Sequence, residues 1–327
     1  MYVVTGGAGF IGSVLVAKLA EAGYEPIVIA DRFGKSDQWK NLAKHPVADV
    51  VPPENLLTYL QDNRQRLSAV FHLGASSSTT EKDVDFILAN NFSLSRAIWD
   101  FCTDASVPLI YASSAATYGD GALGFVDDND PAALQRLRPL NPYGWSKKLF
   151  DDFAVVESNA GRRPPFWGGL KFFNVYGPNE YHKAGQRSVA VQLYEQVFNA
   201  AHVKLFKSHN PDYSDGGQMR DFIWVDDCAD VMVWMLQSES VAGVFNCGTG
   251  TARSFNDLAH AVFVAMGKEP TIDYIDTPDH IRAHYQYFTE ADMTNLWNTG
   301  YNRPFTTLED GVRAYIRDYL STADPYR

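Results

Sequence analysis

The first twelve residues, MYVVTGGAGFIG, constrain this chain more than any other stretch. Tyr2, Val3 and Val4 favour an extended strand. A glycine cluster follows at once, and Leu15, Val16 and Leu19 then recur at helical spacing. Gly6, Gly9 and Gly12 fall in a GxxGxxG pattern. In a strand–turn–helix unit, Gly6 permits the tight turn, Gly9 lets the helix start approach a pyrophosphate, and Gly12 lets the helix lie close to the sheet. The N–H groups at the helix start, with the helix dipole behind them, can hold phosphates. A second strand ends in Asp31, about 20 residues after the glycines, where an acceptor for a ribose hydroxyl is expected. Glycine clusters also make ordinary turns, so it is this context that points to a dinucleotide.

Strands and helices alternate through the first half. The pattern predicts strands over 2–4, 26–30, 69–72 and 108–112, and helices over 10–22, 54–62 and 84–104. Such alternation implies α/β architecture with a doubly wound, parallel Rossmann sheet. His72, at the end of an apolar run before Gly74, reads as a packed strand-end histidine. Residues 120–140 read as an irregular loop and 141–159 as a long helix with Pro142 in its first turn. A further strand covers 168–173. Beyond residue 174 the alternation breaks down and polar loops lengthen, notably over 210–218. Helices are expected over 224–236, 254–265 and 306–320. The division expected is a dinucleotide-binding domain over 1–173 and a smaller mixed α/β substrate lobe over 174–327, with segments near 221–250 returning to the first domain.

Charge and cysteines narrow the function classes. A net charge of −11 argues against nucleic acid or an acidic membrane surface as partner. An anionic substrate would therefore need a local cluster of Arg or Lys. Cys102, Cys228 and Cys247 are odd in number and widely spaced, which disfavours a disulfide framework or a zinc site, and no metal is expected. No signal segment precedes the first strand and no apolar run is long enough for a bilayer, so a cytoplasmic protein is expected.

Two further stretches carry chemistry. Tyr143 and Lys147 stand at i and i+4, hence on one helix face. A nearby ammonium would favour the phenolate and lower the Tyr143 pKa. A half-buried tyrosine beside a surface lysine has the same spacing. Ser114 lies in the small-residue run Tyr111–Gly119 at the C-terminal end of the strand expected over 108–112, at the sheet edge where α/β folds bind ligands. It could donate a hydrogen bond to a substrate oxygen.

A nucleotide fold, a serine and Tyr-x-x-x-Lys, in that order, resemble the extended short-chain dehydrogenase/reductase superfamily. Phe172 to Pro178, Arg220 to Asp227 and Phe245 to Gly250 extend the likeness to nucleotide-sugar enzymes. Ser77 to Glu81, Ala112 to Gly119, Phe173 to Pro178 with His182-Lys183, and Gln286 with Phe288-Thr289 and Ala291-Asp292 resemble the ADP-L-glycero-D-manno-heptose 6-epimerase family. That resemblance implies inversion at C6 of an ADP-linked heptose destined for lipopolysaccharide, through transient oxidation to a ketone. Two opposite faces then call for two acid/base groups. The resemblance assigns these to Tyr143 and Lys183, with Lys147 on the nicotinamide ribose and Ser114 on the reacting oxygen. Apart from the family, Lys183 reads as a solvated loop lysine. Carried over as cofactor contacts are Phe10, Ile11, Asp31, Arg32, Gly74, Ala75, Ser76, Asn90 and Val175, besides Tyr143, Lys147 and Lys183. Substrate contacts carried over are Ser114, Asn174, Gln192, Phe206, Arg220 and Tyr285. A homo-oligomer is implied as well.

The sequence departs from the family pattern in places. Gln38 and Pro53 stand where cations for a 2′-phosphate would be sought, with Arg32, Lys35 and Lys40 as nearby substitutes. The resemblance implies NADP, whereas Asp31 alone favours NAD. Leu73 and Ser76 replace an acid and a cysteine, and the 210–218 loop is longer than usual. A UDP-sugar 4-epimerase is the competing enzyme, and it would not require Lys183. A 4,6-dehydratase needs an acid pair beside the serine, which 114–118 lacks. A non-catalytic dinucleotide sensor need not keep Ser114, Tyr143 and Lys147 together.

Overall fold

In the computed structural model, which describes residues 1–238, 241–282 and 285–327, the β-branched runs of the first half form the centre of one parallel sheet. Its strands in chain order are β1 (Tyr2–Thr5), β2 (Ile27–Ala30), β3 (Asp49–Val51), β4 (Ala69–His72), β5 (Leu109–Ser114) and β6 (Trp167–Phe172). After β7 (Asn174–Tyr176), β8 (Val203–Phe206) and β9 (Met219–Trp224), strand β10 (Ala242–Cys247) returns to pair with β6. Strands β11 (Ala252–Ser254) and β12 (Ile272–Ile275) complete the set. The seven-stranded order is β10-β6-β5-β4-β1-β2-β3. Every pair in it is parallel. Both faces are covered, so β1, β2 and β4 are buried almost throughout.

The helices are α1 (Phe10–Glu21), α2 (Leu56–Asp62), α3 (Val84–Leu88), α4 (Leu94–Ala105), α5 (Pro131–Arg136), α6 (Pro142–Asn159), α7 (Val189–Ala200), α8 (Val225–Ser238) and α9 (Phe255–Ala265). The single helix expected over 84–104 is divided into α3 and α4 by a π-turn at Ala89–Ser93. The loop expected over 120–140 contains α5, which starts at Asp130 with its side chain accepting from Ala132 N. Strand β3 was not foreseen: it is a short edge strand whose first two residues are exposed, so it has no apolar run.

Three-stranded β11-β9-β7 and two-stranded β12-β8 sheets sit in the second half, over a separate apolar cluster that includes Leu193, Trp224, Val262 and Tyr315. The chain steps from β1 through β2 to β3 on one side and resumes with β4 on the other. The C-terminal ends of β1 and β4 therefore flank a switch point, the place where open α/β sheets bind ligands.

Candidate active site

The turn after β1 is held by close approach rather than by side chains. Gly6 has a φ of +66°, and a Cβ there would stand 2.6 Å from the backbone nitrogen of Gly74, which follows β4. A Cβ on Gly12 would drive into the Gly6 carbonyl. Asp31 closes the turn: its Oδ2 accepts from Ala8 N at 2.9 Å and its Oδ1 from Arg32 N at 2.7 Å. Burial pushes the Asp31 carboxyl up, and these backbone hydrogen bonds pull it back. Arg32 reaches Glu54 at 3.1 Å, both side chains exposed.

A cavity of about 510 Å³ opens from this turn. Gly6, Gly9, Phe10, Ile11, Gly12 and Asp31 line one part of it. Ser114, Tyr143, Lys147, Asn174, Val175 and Lys183 line the rest, so the turn and the proposed acid/base groups share one space. A second cavity of about 220 Å³ shares Gly6, Asp31, Gly74 and Ala75 with the first and adds Arg32, Ser76 and Asn90. A glycine cradle that a Cβ would fill, a helix N-terminus and a strand-end carboxylate fit a dinucleotide.

The Tyr143 corner is built by α6. Asn141 caps the helix by accepting from Gly144 N at 2.8 Å, and Pro142 takes the first turn. A Cβ on Gly144 would stand 2.6 Å from the Ala116 carbonyl oxygen, so only glycine lets α6 close on the turn after β5. That closure puts Tyr143 in hydrogen-bond contact with the Ser114 side chain. Ser114 Oγ itself accepts from Ala116 N at 3.1 Å, which leaves its hydroxyl hydrogen to donate.

The electrostatics differ from the sequence reading. Burial raises the Tyr143 phenol, the Ser114 hydrogen bond opposes this, and the Asp151 charge raises it further. The depression expected from Lys147 is not what the structure gives. Lys147 donates to the Ala112 carbonyl at 2.7 Å, and burial lowers its own pKa to about 8, partly offset by Asp151.

His72 confirms the packing role read from sequence. Ser95 Oγ donates to the Asn91 carbonyl at 2.7 Å, so it accepts from His72 Nε2 at 2.8 Å. His72 Nδ1 then accepts from the Thr5 hydroxyl at 2.7 Å, whose oxygen takes Gly74 N–H at 3.0 Å. Burial and the Lys147 charge drive the ring pKa down to about 3, so it is neutral.

Lys183 sits on a 3₁₀ turn, Tyr181–Gln186, and is not the solvated lysine of the bare sequence. Its Nζ lies 5.5 Å from the centre of the Phe10 ring, and burial lowers its pKa while Glu180 opposes the shift.

The carried-over substrate residues divide. Asn174 lines the main cavity. Phe206, Arg220 and Tyr285 form a group outside its lining: Arg220 lies 5.5 Å from the Tyr285 ring, and Phe206 packs edge-on to Tyr285 at 6.2 Å. Arg220 donates to the carbonyls of Met219 and Gln286. Its neighbour Asp221 is taken by Thr249, Gly250 and Ala291 instead. Gln192 is displaced from the main cavity. It donates to the Arg187 carbonyl at 2.8 Å and lines a separate open cavity of about 660 Å³.

Two residues that hold the site escaped the sequence reading. Asn91, inside the π-turn, accepts from Ser76 N at 2.8 Å and donates to Ser76 O and Ser146 Oγ, tying the loop after β4 to α6. Glu180 lies buried beside the Lys183 turn. Both act across distant segments, and no local pattern marks them.

The model of the NAD dependent epimerase/dehydratase family matches residues 2–248. An ADP-L-glycero-D-manno-heptose-6-epimerase of Nitratidesulfovibrio vulgaris (strain DP4) is 52% identical, with 100% of each chain covered. The crystal structure of an ADP-L-glycero-D-manno-heptose-6-epimerase of Helicobacter pylori is 28% identical, with a TM-score of 0.78, covering 97% of this chain and 95% of that one. A UDP-glucose 4-epimerase of Thermus thermophilus, solved with NAD, is 27% identical with a TM-score of 0.71, covering 95% of this chain and 96% of that one.

Proposed function

This chain belongs to the NAD dependent epimerase/dehydratase family, and we propose that it epimerises C6 of an ADP-linked glycero-manno-heptose, interconverting the D-glycero and L-glycero forms for lipopolysaccharide synthesis. The observation that carries this reading is that Tyr143 and Lys183, from unrelated segments, line one cavity together with Ser114.

The hydrogen on a secondary alcohol carbon is not acidic, so direct deprotonation is impractical. A nicotinamide held between the Gly6–Gly12 turn and Lys147 would supply the acceptor and donor for this hydrogen as hydride. Ser114 donates to the reacting oxygen and holds it beside Tyr143. Tyr143 exchanges the hydroxyl proton for one configuration of the carbon, and Lys183 does so for the other. The raised phenol pKa favours protonated Tyr143, the form that donates to the oxygen on reduction, and the lowered Lys183 pKa favours the neutral amine, the form that takes the hydroxyl proton on oxidation. Lys147 would hold the nicotinamide ribose with the N–H groups that its bond to the Ala112 carbonyl leaves over.

Asp31 would take a ribose hydroxyl in the adenosine part. The reading for the cofactor is NADP: Arg32 lines the smaller cavity, and its ion pair with Glu54 is exposed and weak, so a 2′-phosphate can recruit it. Arg220 spends one N–H of each terminal nitrogen on the Met219 and Gln286 carbonyls, and the N–H groups left over would serve the diphosphate of the substrate. Residues 1–173 would serve the cofactor and most of 174–327 the sugar nucleotide, in a cytoplasmic homo-oligomer.

The test offers ADP-D-glycero-D-manno-heptose and UDP-glucose separately to the purified protein without added reductant. Conversion of the heptose alone is the expected result. Conversion of UDP-glucose alone would transfer the reading to a 4-epimerase. Cofactor binding with neither conversion would leave a dinucleotide sensor.

A further inference from the structure

The Lys183 turn lies between β7 and α7, and its two ends are joined by one side chain. Glu180 precedes the turn and is 1% exposed. Its carboxylate accepts from both the backbone N–H and the hydroxyl of Ser188, the latter at 2.7 Å. It also accepts from the Tyr315 hydroxyl at 3.0 Å and, more weakly, from Gly177 N at 3.5 Å. Gly177 lies before the turn and Ser188 after it, so a single carboxylate spans the entry and the exit. All four partners donate. The two backbone N–H groups can only donate, and an ionised carboxylate, an acceptor at both oxygens, takes all four donors at once. Burial pushes the Glu180 carboxyl up, and these same hydrogen bonds pull it back down. Ser188 also caps α7, and a negative charge at that helix start is favourable.

We propose that Glu180 is a positioning residue for Lys183, closing residues 181–187 into a loop of fixed shape and so setting where the lysine amine stands beside Phe10. The proposal rests on the assignment of Lys183 as the second acid/base group. The Lys183 backbone N–H also donates to the Glu180 carbonyl at 3.1 Å, so the two residues move as a unit. The Glu180 charge supports the buried ammonium against desolvation. Tyr315 comes from the C-terminal helix Leu308–Tyr315, which links the turn to the apolar cluster of the second half.

Replacing Glu180 by Gln keeps the size but turns an NH₂ group toward one of the donors. A displacement on the order of 1 Å at a reacting group costs about 100-fold in rate. Glu180→Gln is expected to lower kcat on the order of 10- to 100-fold, with KM within about twofold. Hydrogen exchange read by mass spectrometry should accelerate across 179–190 and stay unchanged across 142–159. An unaltered kcat, or a loss that merely follows a general acceleration of exchange, would overturn the proposal. If Glu180→Gln fails to fold, Tyr315→Phe removes one donor only. It should lower kcat by about threefold at constant KM, and an unchanged kcat would again overturn the proposal. Lys183→Met, measured alongside, separates the two claims. A near-normal Lys183→Met protein defeats the acid/base assignment itself. A crippled Lys183→Met beside an intact Glu180→Gln defeats the positioning role alone.

Discussion

The helix that carries Tyr143 and the loop that carries Lys183 face one cavity, but they are held in different ways. Tyr143 and Lys147 inherit their spacing from α6, which is capped by Asn141 and seated by Gly144 against Ala116. Lys183 depends on contacts far apart in the chain. Asn179, fully buried with a φ of +74°, donates to Ser13 Oγ at 2.9 Å and accepts from Arg327 N at 3.0 Å. Asn41 donates to the Asn179 carbonyl at 3.1 Å, and Tyr181 donates to the Pro325 carbonyl at 2.8 Å. One acid/base group is placed by helix periodicity and the other by tertiary structure. A chain of this kind can lose the second while the first stays in register.

The largest expected effects test whether both sides are needed. Tyr143→Phe and Lys183→Met should each lose on the order of 10²- to 10⁴-fold in turnover, with folding retained as judged by thermal unfolding. Near-normal turnover in either would break the comparison at its root. Gly144→Ala sharpens the α6 side. Helix propensity alone favours Ala by about 1 kcal/mol, yet its Cβ meets the Ala116 carbonyl. Turnover should fall about tenfold while exchange over 179–190 stays unchanged. A more stable, fully active Gly144→Ala protein would mean that this close approach does not place Tyr143.

Arg327→Ala tests the other side more gently. Arg327 bridges Glu21 and Asp226, at 3.0 and 2.7 Å. Its loss should cost about 2 kcal/mol in denaturant unfolding and lower turnover by a few-fold, leaving the Tyr143–Ser114 contact untouched.

The smallest effect on turnover accompanies a pH dependence of stability. The His72 ring pKa falls from 6.5 to about 3 on folding, so the unfolded chain binds more protons in between. The His72 contribution is intact above pH 6.5 and is lost progressively as pH falls toward about 3. His72→Gln should flatten the melting temperature against pH in that window. An identical slope would show that the acid sensitivity arises elsewhere.

What could be read from the sequence follows the same divide. The strand-glycine-helix start, the parallel sheet and the Tyr143–Lys147 stripe are local patterns with fixed periods, and they stand where the residues implied. The π-turn was hidden, because its residues Ala89–Ser93 hold no Gly or Pro to mark a break in the helix. Asn91, within it, clamps Ser76, while Asn90 lines the smaller cavity and donates to the Phe86 carbonyl. Gln192 looked equivalent to the other substrate residues, but its position on α7 turns it to a different cavity. The Tyr143 pKa was misjudged because spacing reports proximity to Lys147, whereas burial, opposed by the Ser114 hydrogen bond and joined by the Asp151 charge, decides the electrostatics. Nothing adjacent to Glu180 in sequence indicates that its carboxylate meets Ser188 and Tyr315.

The most direct measurement is proton NMR of ADP-D-glycero-D-manno-heptose with the purified protein in deuterium oxide. A mixture of the two C6 epimers should form with the C6 hydrogen retained, since it leaves and returns as hydride. An unchanged heptose, or epimerisation with deuterium at C6, would contradict a redox-neutral inversion between Tyr143 and Lys183.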